Sequence, residues 1–157
     1  RSTQGYSSAA SDVYKRQEPF WKRGLPGGEE LQKIRRDNCL MARVETAGPE
    51  RIQGYSVILG DDNACYEKHL LLIPCGETEE QDVWSMQLMP AYRQELEENL
   101  PDQKNVALGG FCVLREGEQL PAGNYTIAVL VVNRVSKLKL WNTTGKYLTV
   151  ELPAAKE

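Results

Sequence analysis

The densest collection of chemically capable side chains lies between Gly60 and His69, in GDDNACYEKH. It holds two aspartates, an asparagine, a cysteine, a glutamate and the single histidine of the chain. Zinc chemistry would recruit Cys65, His69 and Cys75. Structural zinc takes four ligands, normally in tight pairs. Here three and then five residues separate the ligands, and a fourth would have to be Cys39 or Cys112. On one strand Cys65 and His69 share a face but stand about 13 Å apart at roughly 3.3 Å per residue, too far to chelate one ion without a bulge. Calcium would use the oxygens of Asp61, Asp62 and Asn63. An EF-hand loop fails, because its glycine and terminal glutamate do not fall in place. The stretch therefore reads as a connection between strands, with Asp and Asn bonding their own backbone. Asp61, Asp62 and Asn63 remain as calcium-loop candidates.

Nucleophilic catalysis has little to work with. One histidine serves any Ser–His or Cys–His arrangement, and no G-x-S-x-G, P-loop or G-x-G-x-x-G occurs. His69 shares its strand parity with Leu71 and Ile73, the pattern of a structural, partly buried histidine. Seven of the 22 acids fall in GETEEQD and ELEEN, which read as solvated loop and helix surface. The expectation is a non-catalytic chain without cofactor. An enzyme with a carboxylate pair that has no sequence signature stays as an alternative. Sugar binding would need exposed aromatics with polar neighbours. Trp141 beside NTTGK is one ligand-contact candidate, and Tyr92 with Arg93 at the start of a helix is another. The competing reading of Trp141 is an edge residue packed against a loop. Trp84 alternates with Met86 and Leu88 and reads as core. Asn124-Tyr125-Thr126 and Asn142-Thr143-Thr144 match the glycosylation acceptor pattern.

The elements that would position these residues follow a period of two from Cys39 onward. CLMARVETA aligns Leu40, Ala42 and Val44. RIQGYSVIL aligns Tyr55, Val57 and Leu59. HLLLIP, VWSMQLM, NVALGGFCVL, YTIAVLVVN, KLKLW and YLTVEL complete about eight short strands between Gly, Pro, Asn and Asp turns. YTIAVLVVN is apolar on both faces in its later half and belongs in the middle of a sheet. The glycine pair of LGGFCV marks a bulge or close packing. One short helix, near 91–100, places Tyr92, Leu96 and Leu100 on one stripe between Pro90 and Pro101. The pattern predicts an all-β fold: an immunoglobulin-like antiparallel β-sandwich of seven or eight strands over 39–153. Residues 18–38 read as a linker containing a short helix, EELQKIRRD, and 154–157 as a tail.

The bulk numbers agree with one globular domain. The chain has 157 residues, 41% apolar and 26% charged. A net charge of −3 and a pI of about 5.4 leave no basic field for a nucleic-acid backbone. No apolar run reaches the roughly 18 residues of a membrane span. Four cysteines without a CxxC pair read as free thiols, as in a reducing compartment. Residues 1–17 read as disordered by composition, and SSAASDVYKRQ resembles a translated sequencing-adaptor scar. On that resemblance the chain is the C-terminal fragment of a longer protein.

A wider resemblance rests on IQGYSVILGDDNACYEKHLLL, LMPAYRQELEENLPDQKNVALGGFCV and LPAGNYTIAVLVVNRVSKLKLW. Together these resemble the β-sandwich accessory module associated with bacterial glycosyltransferases and other cell-envelope polysaccharide enzymes. The likeness runs from Ile52 to Trp141. It implies a module without chemistry of its own, bound to a glycan or to its own upstream catalytic domain. It also implies the bacterial cytoplasm, or membrane association through the missing part. A structural or homodimerising interaction domain is the alternative.

Overall fold

A computed structural model describes residues 16–76 and 82–151. The described residues form nine strands and one short α-helix: β1 (Lys22–Arg23), β2 (Arg35–Arg36), β3 (Leu40–Ala47), β4 (Arg51–Ile58), β5 (Tyr66–Pro74), β6 (Trp84–Gln87), α1 (Gln94–Asn99), β7 (Gly110–Leu114), β8 (Gly123–Asn133) and β9 (Lys139–Val150). One sheet has the order β1-β6-β5-β8-β9-β2 and the other β3-β4-β7. The fold is the expected all-β sandwich. Pairing within the two sheets is antiparallel except for β2, which runs parallel to β9.

Alternation builds the layers. Leu70 and Leu72 of β5, Ile127, Val129 and Val131 of β8, and Leu140 and Leu148 of β9 face inward. There they meet Leu40, Ala42 and Val44 of β3, Ile52 and Ile58 of β4, and Phe111 and Val113 of β7. Burying each such aliphatic side chain contributes about 1.5–3 kcal/mol. The outer faces are not bare. Leu71, Ala128 and Leu130 on the outside of the large sheet are covered by Leu25, Leu31 and Ile34. Val57 and Tyr55 on the outside of the small sheet are covered by Leu96, Leu100 and Val106.

Several elements differ from the sequence reading, each for a physical reason. KLKLW and YLTVEL are one strand, not two. NTTG is a bulge inside β9 where the register against β8 shifts between Thr143 and Lys146. The Thr144 hydroxyl donates to the Ile127 carbonyl at 2.7 Å, and Gly145 takes φ +77°. EELQKIRRD forms a single 3-10 turn over Leu31–Lys33, because its next residues are drawn into pairing with β9. α1 begins at Gln94 rather than at Ala91, because Ala91 exchanges both backbone hydrogen bonds with Gly110 of β7. Pro90 and Tyr92 therefore lie outside the helix. Leu59, grouped by parity with Tyr55 and Val57, is exposed past the end of β4. All four cysteines are free, and Cys112 alone is fully buried.

Residues 1–15, where most of the scar-like segment lies, the acidic run 77–81 and the tail 152–157 fall outside the described residues. Gln17, the last residue of the scar-like segment, is integrated into the fold. Its backbone bridges to β7, its carboxamide donates to the Gln87 carbonyl at 2.5 Å, and its side-chain oxygen accepts from the Met89 amide at 2.9 Å.

Candidate functional site

The residues singled out by type are mostly committed to holding the chain. Asn63 is 5% exposed. Its oxygen accepts from the Ile58 amide at 2.7 Å, and its nitrogen donates to the carbonyls of Ile58 at 3.0 Å and Lys104 at 3.1 Å. It plugs the turn between β4 and β5 and has no oxygen to turn toward an ion. Asp61 accepts from the Tyr66 hydroxyl at 2.5 Å and from the Asp62 amide. Asp62 accepts from the Asn105 side chain at 2.7 Å and the Ala64 amide at 3.0 Å. These bonds hold both carboxyls below the usual carboxylate range, with Tyr66 the larger cause for Asp61 and Asn105 for Asp62. Among the described residues no group of three His, Cys, Asp or Glu side chains converges as metal ligands. Cys65 sits in the 3-10 turn before β5, not in the strand. His69 is 6% exposed with Nε2 2.8 Å from Glu67, and burial lowers its pKa.

The three ligand-contact candidates do not come together. Trp141 lies on the outer face of the large sheet, half-buried. Its Nε1 donates to the Ile34 carbonyl at 3.1 Å, and the Arg36 guanidinium stands 5.5 Å from its ring centroid. That is the packing of an edge residue under a covering segment, not an open stacking platform. Arg93 lies against the small sheet. It forks onto Glu45, also pairs with Glu95, and stacks 5.2 Å from the Tyr55 ring. Its stem rests on Gly110, where a Cβ would come within 2.7 Å of the arginine Cδ. Gly109 similarly lies against Ser56, so the pair serves close packing. Tyr92 is exposed and set beside this ion-pair cluster. The side chain of the acceptor Asn142 is engaged with Arg36 and the Leu40 carbonyl.

A different site emerges at the open edge of the sandwich, where the chain crosses from β6 to β7. A cleft of about 280 Å³ lies there. Its walls include Leu88, Met89 and Phe111, with Leu108 at the mouth and Arg134 at the rim. Met89 is 47% and Leu108 57% exposed. At its inner end is Lys68. Tyr66, Leu70 and Leu72 share its parity and face the core, so β5 points this lysine between the sheets. Its Nζ donates to the Ser56 carbonyl of β4 at 2.6 Å. Among the described residues no carboxylate lies within ion-pair distance of it. Ser56 is fully buried, and its hydroxyl has no partner among the described residues. Burial pushes the Lys68 ammonium down to about 8.

No family model, no curated protein and no solved structure matches the chain. The chemistry of the cleft therefore rests on its own residues. A partly buried ammonium with one neutral acceptor can receive an anion, and its neutral form is a nucleophilic amine. Lys68 is masked in the sequence by its chemically more conspicuous neighbour, His69. The signal was present: in YEKHLLL the lysine occupies the inward parity of Leu70 and Leu72, where an aliphatic residue is the rule.

Proposed function

We propose that the chain is a non-catalytic, immunoglobulin-like accessory module of a larger bacterial cell-envelope glycan enzyme, and that it binds through the cleft between its sheets. The observation that carries the reading is the cleft itself. It combines exposed apolar walls with an inward-pointing, partly buried cation, Lys68, that has no carboxylate partner among the described residues. The order of motifs from Ile52 to Trp141 supports the accessory-module assignment. The cleft lining contains one carboxylate residue, Glu67, and that group bonds to His69, an arrangement unlike the facing acids of a glycosidase.

A glycan array tests the reading, with Leu108→Arg to block the cleft and Trp141→Ala to remove the aromatic. Signal lost with Leu108→Arg and kept with Trp141→Ala is the expected result. The reverse pattern moves binding to the outer face of the large sheet. Absence of any glycan signal removes the sugar-binding form. The module then packs on its own enzyme, which co-purification with the upstream catalytic domain would detect.

A further inference from the structure

We propose that the cleft is a site for an amphiphilic monocarboxylate, its head group on the Lys68 ammonium and its apolar body along Leu88, Met89, Leu108 and Phe111. The inference deepens the cleft-binding reading above and rests on it.

The charge argument comes first. Lys68 carries three N–H donors, and one is used, on a neutral carbonyl. Taking an unpaired ammonium out of water is costly, and the pairing that offsets it is an anion. Among the described residues none pairs with it: Glu67, the one carboxylate of the cleft lining, is turned to His69 and makes no ion pair with Lys68. A structural lysine that merely satisfies the Ser56 carbonyl would be sealed over. This one opens into a cleft whose mouth exposes Leu108 and Met89.

The single cation at the inner end sets the charge of the head group. One ammonium in an apolar surround matches one carboxylate, whereas a phosphate dianion asks for more donors than the inner end offers. Arg134 stands exposed at the rim, with Nη1 donating to the Ala64 carbonyl at 2.6 Å, and favours the approach of an anion. The titratable and charged groups around the cleft are Tyr66, Glu67, Lys68 and Arg134; the 88–90 and 105–111 walls contribute none.

Octanoate and octanol are the probes, titrated calorimetrically into the folded chain. Octanoate is expected to bind about tenfold more tightly than octanol or better, a gap that Lys68→Met closes while leaving octanol unchanged. Octanoate affinity should fall from pH 7 to pH 9.5 as the ammonium deprotonates, with octanol flat; this profile needs no variant. Equal binding of the two probes, or indifference to Lys68→Met, overturns the carboxylate assignment while leaving the cleft as an apolar binding site. If neither probe binds, the inference falls, and the Leu108→Arg glycan result decides the module reading separately.

Discussion

At the scale of single residues, burial decides what a polar group does. Lys68 and Asn63 are both polar residues turned into the protein, with opposite outcomes. Asn63 has its oxygen and nitrogen filled, so Asn63→Ala strands the Ile58 amide and the Lys104 carbonyl. The expected cost is about 2–3 kcal/mol, read from urea unfolding. Because Asn63 and both oxygens of Asp61 already accept internal bonds, leaving Asp62 Oδ2 alone without one among the described residues, millimolar calcium should leave the melting temperature unchanged; a rise of several degrees would restore the calcium reading. Lys68 is under-partnered. Its folded pKa of about 8 against 10.5 means that burial penalises the charged form. The penalty is fully present below pH 8 and disappears as pH rises through the window from 8 to 10.5. It corresponds to about 3 kcal/mol. The stability of Lys68→Met minus that of wild type should therefore shrink between pH 7.5 and 9.5, measured by paired denaturant titrations. A gap constant with pH would mean that the ammonium is solvated.

At the scale of elements, tight backbone approaches fix which strand faces which. Gly54 of β4 passes so close to β3 that an added Cβ would sit 2.0 Å from the Arg43 carbonyl oxygen. That obstacle is main chain and cannot swing aside. Gly54→Ala is expected to lower stability by about 3 kcal/mol. α1 is only six residues long and is held by packing rather than by its own hydrogen bonds. Leu96 carries that packing against Val57 and Val106, so Leu96→Ala should cost about 2–4 kcal/mol and release the helix, visible as faster amide exchange over 94–99. The strands themselves were legible. Tyr125, Ile127, Val129 and Val131 announce β8 by alternation alone. The start of α1 was not, because the pull of Gly110 on Ala91 is a contact between residues far apart in sequence. The bulge in β9 was hidden for a similar reason: NTTG carries turn chemistry, and only the partner strand reveals that the chain continues straight through.

At the scale of the molecule, the part least legible was the covering of the outer faces. Residues 18–38 are dense in Gly and Pro and show no period, yet they bring Leu25, Leu31 and Ile34 onto Leu71, Ala128 and Leu130. Two-residue strands have no alternation to read. The cleft was equally unreadable as a cavity, since its walls come from β5, the 88–90 crossing and the 105–111 segment. Of the candidate site, the sequence offered one inward-facing lysine and nothing of its surroundings. A chain shortened to begin at Asp37 should expose the Leu71–Leu130 face, bind a hydrophobic dye and lose solubility. If it stays monomeric and melts unchanged, the covering segment contributes little.

The two short strands at the margins of the large sheet have a colloidal consequence. Lys22 and Arg23 close one side, Arg35 and Arg36 the other, and all four are exposed cations. A sheet edge is a template for another copy's backbone, and brevity together with positive charge is how such a template is blunted. Among the described residues Arg23 pairs with Asp82 and Arg35 with Asp37, so each margin keeps one unpaired cation, Lys22 or Arg36. Two molecules approaching margin to margin set like charge against like charge over ladders only two residues long. Salt would screen that repulsion. This protein should keep best at low ionic strength and turn cloudy first in concentrated brine.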